Sequence, residues 1–110
     1  MSLFFWTKNK QIDVFASTLA NEFYSLVQPQ VAKDYFDTSS DDKDARKARK
    51  IMGGRLQEVI REVDQFRTNN SLGVYGKARL HMKFAERLKE LGYDANTVTK
   101  INELVMLSTP

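Results

Sequence analysis

Apolar side chains return every three or four positions along most of this chain. The first such stripe contains Ile12, Phe15, Ala16, Leu19, Ala20, Phe23, Leu26 and Val27. This spacing places all of its members on one face of an amphipathic helix. No stretch alternates polar and apolar residues for long enough to form a strand. The sequence therefore predicts an all-α protein.

Three further segments show the same helical pattern. The second helix is predicted from about Asp41 to Arg67, the third from about Leu72 to Leu91, and the fourth after Asp94. The third stripe contains Tyr75, Ala78, Leu80, Met82, Phe84, Ala85, Leu88 and Leu91, and the fourth contains Val98, Ile101, Leu104, Val105 and Leu107. A chain of 110 residues has room for one core. We expect a single helical domain over residues 1–110, with four main helices in an antiparallel bundle or an orthogonal array.

Two junctions between helices have clear signals. Pro29 ends or bends the first helix because proline has no N–H to donate, and it can begin a short extra helix after it. Gly92 suits the left-handed position after the third helix, with Tyr93 packing back on Leu88. Asp94 then caps the fourth helix. The chain should therefore turn sharply at both places.

The second helix is predicted to have an irregular centre and a defined end. Gly53 and Gly54 interrupt its stripe, at a cost of about 1 kcal/mol per glycine relative to alanine. The pair predicts a kink, or a place where another backbone comes close. Asn69-Asn70 is a typical helix stop, and one of Ser39, Ser40 or Asp41 would cap the beginning.

Charge is segregated along the chain. Residues 43–89 carry thirteen basic and five acidic side chains, whereas residues 1–42 have a net charge of −3 and residues 90–110 of −2. The candidate anion-binding residues are Lys43, Arg46, Lys47, Arg49 and Lys50 on the second helix, and Lys77, Arg79, Lys83 and Arg87 on the third. If both sets face the same way, they could neutralise several phosphates of a nucleic acid. The favoured alternative is an ordinary solvated face, paired with acidic residues of the same chain or of a second copy.

Residues typical of catalysis and metal binding are sparse. The chain has no cysteine and one histidine, His81, with no carboxylate one helical turn away. Glu58 and Glu62 share a helix face, but Arg55 and Arg61 flank Glu58 and favour a salt-bridged surface. We therefore expect no enzymatic activity, no metal, no cofactor and no small-molecule substrate.

An apolar cluster lies near the first residue, at Leu3, Phe4, Phe5 and Trp6. It is expected to pack over the end of the bundle, or to anchor a partner through Phe4, Phe5 and Trp6. Contact with a membrane surface is the weaker alternative, because the cluster is short and carries few charges. No apolar run approaches the roughly 20 residues of a spanning helix, and a cytoplasmic location is predicted.

Together these features predict a non-enzymatic helical protein that acts through protein–protein interaction or self-association. The alternative function is nucleic-acid binding through the basic segment between residues 43 and 89. Continuity of the basic side chains on the folded surface would favour the second function, and their pairing with carboxylates would favour the first.

Overall fold

A computed structural model describes the backbone of residues 2–37 and 43–108, and the side chains of 8–37, 43 and 45–108. Within these ranges the chain forms helices and no strand, so the predicted all-α class is confirmed. The helices are α1 (Ser2–Leu26), α2 (Pro29–Phe36), α3 (Lys43–Asn69), α4 (Val74–Glu90) and α5 (Ala95–Ser108). The predicted capping residues Ser39, Ser40 and Asp41 lie outside the described residues.

Pro29 separates α1 from α2 as the sequence indicated. Gln28 has an extended backbone, with φ of −65° and ψ of 154°, and Pro29 begins the eight-residue α2. The missing N–H of proline costs nothing there, because the first turn of a helix has no intrahelical acceptor for it. The short extra helix is therefore confirmed.

The predicted stop at Asn69-Asn70 is also confirmed. Helix α3 ends at Asn69, and the Asn70 side-chain amide donates to the carbonyl of Phe66 at 2.9 Å. The left-handed residue of this turn is Ser71, with φ of 49°, and not an asparagine. Four residues then lead into α4, whose N-cap is Gly73.

The turn between α4 and α5 has the predicted construction. Gly92 has a φ of 103°, a left-handed conformation that glycine adopts without strain. The amide of Tyr93 donates to the carbonyl of Leu88 at 3.1 Å, which is the long-range bond of a Schellman motif. The carboxylate of Asp94 then accepts from the amide of Thr97 at 3.3 Å.

The most extensive packing in the fold is between α1 and α4, and the two helices run parallel. Asp13 contacts Arg79, Asn21 contacts Arg87, and the hydroxyl of Tyr93 donates to the carbonyl of Val27. Each pair is 66 residues apart, and a constant separation means that the helices point the same way. In a regular up-and-down bundle such a pair would lie on the diagonal. Of the two predicted arrangements, the antiparallel bundle is therefore wrong for the α1–α4 pair.

Helix α3 is antiparallel to α1. The rings of Phe15 and Phe66 stack with centroids 4.1 Å apart, and farther along the pair a shallow cleft brings Leu26 to Arg55. Helix α2 packs on the first half of α3, where Val31 and Ile51 line a common groove. The α1–α3 pair therefore follows the predicted direction.

One hydrophobic core joins the helices, and it corrects three of the predicted stripes, the first of them at Leu26, which is 49% exposed. Leu80, Phe84 and Leu88 of α4 are fully buried, as are Val98, Ile101 and Val105 of α5. Tyr75 and Met82 were predicted on the same face of α4 but are exposed, because they lie on the opposite side of the helix from Leu80 and Phe84. Leu107 of α5 is exposed for the same reason, whereas Leu104, 36% exposed, lies at the edge of the buried face.

Helix α3 passes through Gly53 and Gly54 without a break. A Cβ atom added to either glycine would meet no heavy atom within 4 Å, so no other backbone in the described part of the chain approaches there. The whole molecule is elongated, with extents of 55 × 25 × 19 Å. None of the described helices combines the length and the apolar character needed to cross a membrane.

Candidate functional site

The predicted cations of α4 are engaged with other side chains of the chain. Arg79 donates through Nε and Nη2 to both carboxylate oxygens of Asp13, at 2.8 Å each. Such a two-point contact is the strongest geometry for an arginine–carboxylate pair. Lys83 lies 3.4 Å from Glu86, and Arg87 bonds to both Asn21 and Glu90. Each of these three cations is therefore paired within the chain, and its positive charge is partly neutralised.

The predicted cations of α3 have different surroundings. Lys43, Arg46, Lys47 and Lys50 are exposed, and none of them forms an ion pair within the described part of the chain. Arg49 is exposed as well, but it follows the buried Ala45 by four residues and lies at the edge of the buried face.

The two groups of cations do not form one surface. The cations of α4 lie beside α1, which faces the second half of α3 through the Phe15–Phe66 stack. Lys47 precedes Phe66 by nineteen residues, which is about 28 Å along a helix. A ligand that spans both groups would therefore have to be long, and the first turns of α3 are the more accessible group.

The single histidine, His81, is buried in the contact between α4 and α5, with 3% of its surface exposed. Burial lowers the pKa of His81, the positive charge of Lys77 adds to that effect, and the neighbouring side chain of Asn102 partly opposes it. Neither imidazole nitrogen has a hydrogen-bond partner of standard geometry, and nor does Oδ1 of Asn102. The ring is therefore neutral at pH 7 and packed as part of the core.

Three carboxylates gather at the shallow cleft between α1 and α3. Glu22 from α1 faces Glu58 and Glu62 from α3, and Arg55 holds Glu58 at 2.7 Å. Burial raises the pKa of Glu62, and the charges of Glu22 and Glu58 raise it further. Across the described residues, no group of three or more His, Cys, Asp or Glu side chains has the arrangement of a metal site.

Exposed apolar side chains collect at one end of the molecule. Asn102 of α5 lies against His81 of α4, and the turn at Gly92 is tight, so α5 runs back along α4. The last turn of α5 is therefore level with the first turn of α4. Val74 is 91% exposed, Leu107 86% and Tyr75 63%, and Met106 is also exposed. We call Val74, Tyr75, Met106 and Leu107 the apolar end.

Helix α1 projects beyond this end. The constant separation of 66 residues between α1 and α4 places Lys8 level with Val74, the first residue of α4. Residues 2–7 therefore extend about 9 Å past α4. The predicted anchors Phe4, Phe5 and Trp6 belong to this segment, and their side chains lie outside the described residues.

Comparisons with protein-family models, with curated proteins and with solved structures give no match for this chain. Its function has to be inferred from the geometry of its own surfaces.

Two features of these surfaces escaped the sequence patterns. The Asp13–Arg79 contact joins residues 66 positions apart, and no local pattern could indicate it. The apolar end was missed because the predicted stripes counted Tyr75 and Leu107 as core. A narrower stripe centred on Leu80, Phe84 and Leu88 would have left Tyr75 outside.

Proposed function

We propose that this chain acts by binding protein, and that its partner is a second copy of itself seated on the apolar end. The observation that carries this proposal is the exposure of Val74 and Leu107, which exceeds four fifths for both side chains. Large apolar side chains exposed at the same end of a molecule favour association, because burying them against a partner removes apolar area from water.

The projecting segment of α1 supports a second copy as the partner. Residues 2–7 contain Leu3, Phe4, Phe5 and Trp6, and Val74 and Leu107 are 91% and 86% exposed within the described part of the chain. A short helical segment gains little stability without tertiary packing. In a two-fold dimer, the segment of each copy would cover the apolar end of the other. A single two-fold contact would then bury the projecting segment and the apolar end of both copies.

The proposal is tested by measuring mass in solution as the protein concentration rises, by light scattering after size exclusion. The parent chain should form a dimer. The double variant Val74→Ser/Leu107→Ser should weaken the dimer by at least tenfold in dissociation constant, because both side chains would bury apolar area in the contact. Its folding should be unchanged, because both positions are exposed.

A matched control is available on other faces of the chain. Val14 and Leu26 are also exposed apolar residues, and neither belongs to the apolar end. The variant Val14→Ser/Leu26→Ser should dimerise like the parent. A parent chain that stays monomeric at several hundred micromolar would contradict the proposal, and so would equal weakening by both double variants.

A further inference from the structure

The outward side of α3 forms a continuous exposed ridge. Its members recur every three or four residues opposite the buried face of the helix: Lys43, Lys47, Lys50, Gly54, Gln57, Arg61, Gln65 and Thr68. We call this set the α3 ridge. All eight residues are exposed, and the helix that carries them is about 40 Å long.

The α3 ridge is cationic and contains no carboxylate. Lys43, Lys47 and Lys50 occupy its first half, and Arg61 lies in its second half. The three lysines form no ion pair within the described part of the chain. Two described carboxylates border it: Glu58 is held by Arg55 at 2.7 Å, and Asp34 of α2, which lines a groove together with Lys47, accepts from Gln30 at 2.9 Å. Among the described side chains, the ridge therefore presents net positive charge to solvent.

The composition of the ridge indicates which anion it fits. It contains no large apolar side chain, whereas protein interfaces depend on buried apolar anchors and membrane-bound helices on an apolar face. Its lysines are spaced about 4.5 to 6 Å apart along the helix, which suits a linear row of negative charges. At Gly54 no side chain stands between the helix backbone and a ligand.

We propose that the α3 ridge binds the phosphate backbone of nucleic acid without reading its sequence. Lys43, Lys47 and Lys50, with the adjacent Arg46, contact successive phosphates. The cations of α4 take no part, because Arg79, Lys83 and Arg87 are already paired with side chains of this chain. This site is separate from the apolar end, and it stands whether or not the chain dimerises.

The test is a fluorescence anisotropy titration with a 20-base-pair DNA duplex and, in a second arm, a 20-nucleotide single-stranded RNA. Four phosphate contacts predict an affinity that falls about 100-fold between 50 and 200 mM salt. The variant Lys47→Gln/Lys50→Gln removes two of those contacts. Its affinity at 50 mM salt should fall about tenfold, and the salt dependence should be roughly halved.

The control is Lys83→Gln/Lys89→Gln, which changes the net charge equally on α4. It should bind within about twofold of the parent. Binding of either probe supports the proposal if the ridge variant weakens it and the control does not. The probe that binds more tightly shows whether the phosphates come from a duplex or from a single strand. The proposal fails if neither probe binds at 50 mM salt, if the control weakens binding equally, or if polyglutamate binds as tightly as nucleic acid.

Discussion

The guanidinium of Arg79 holds both carboxylate oxygens of Asp13, and this contact joins α4 to α1, which run parallel. The residue that sequence reasoning grouped with anion-binding cations therefore has a structural partner 66 positions away. The side chains of Arg79 and Asp13 keep 23% and 35% of their surface, so water still screens the pair.

Breaking this contact should weaken the fold modestly. In a double-mutant cycle with Asp13→Asn and Arg79→Gln, the coupling should be favourable but small, because water screens the pair, and larger than that of a single contact, because the geometry is bidentate. Urea unfolding at low salt measures it. The same cycle on Lys83 and Glu86, a single contact at 3.4 Å, should give a smaller coupling. Equal couplings would show that the two-point geometry adds nothing.

Two positions on α4 that the sequence placed in one stripe should respond differently to truncation. Leu88 is fully buried, so Leu88→Ala should lower the free energy of unfolding by about 2–5 kcal/mol. Met82 is 48% exposed, so Met82→Ala should change it by less than about 1 kcal/mol. Thermal or urea unfolding of the two variants separates these outcomes. A larger loss for Met82→Ala would mean that the buried face of α4 is the one the sequence predicted.

The fold was predictable wherever a local signal decided the structure. The break at Pro29, the left-handed Gly92 and the cap at Asp94 each depend on a few neighbouring residues, and all three were found. The pairing of helices was not predictable in the same way. The contacts of Asp13 and Asn21 that set α1 parallel to α4 depend on distant residues. Periodicity indicates which face a helix buries and not which neighbour covers it.

The candidate surfaces were only partly predictable. Charge counting found the cations of α3 and α4 together, but it could not tell the exposed Lys47 from Arg79, which is held by Asp13. The apolar end could not be found by counting, because an apolar residue at the edge of a stripe is indistinguishable from a core residue in sequence. The three-dimensional pairing of α4 with α5 leaves Val74 and Leu107 uncovered.

Stability should decrease as the solution is acidified below pH 6.5. Burial lowers the pKa of His81 beneath the ordinary value of 6.5 that it has in the unfolded chain. At pH values between the folded and unfolded pKa of His81, the unfolded chain binds more protons than the folded chain. The contribution of the neutral ring to stability is therefore complete above pH 6.5 and is lost as pH falls toward the folded pKa. His81→Gln should remove this part of the pH dependence in urea unfolding between pH 7.5 and 5.5.

The titration can also be followed directly, because the chain contains a single histidine. Its ring protons should titrate with a midpoint below 6.5 in the folded protein by NMR. A midpoint at or above 6.5 would show that the ring is not buried as described. Asn102→Ala removes the neighbour that opposes the shift, so it should move the midpoint lower still.

The only tryptophan of the chain, Trp6, provides a probe of the proposed dimer. If the projecting segment of α1 packs on the apolar end of a second copy, its fluorescence emission should shift to shorter wavelength as concentration rises, because indole leaves water. The shift should follow the mass measured by light scattering and be absent in Val74→Ser/Leu107→Ser. An emission maximum that does not change while the mass doubles would place the contact elsewhere.

Two glycines of this chain should respond in opposite ways to the same substitution. At Gly54 an added Cβ meets nothing within 4 Å, and the residue lies inside a regular helix, so Gly54→Ala should raise the free energy of unfolding by about 0.5–1 kcal/mol. At Gly92 the φ of 103° is unfavourable for any residue with a side chain. Gly92→Ala should therefore lower it by about 1 kcal/mol or more. Urea unfolding of the two variants gives both signs in one experiment.

Destabilisation by Gly54→Ala would contradict the prediction and show that the open face of α3 is covered in solution. If the variant is stabilised as expected, loss of its nucleic-acid binding would show that the ligand approaches the helix backbone at Gly54.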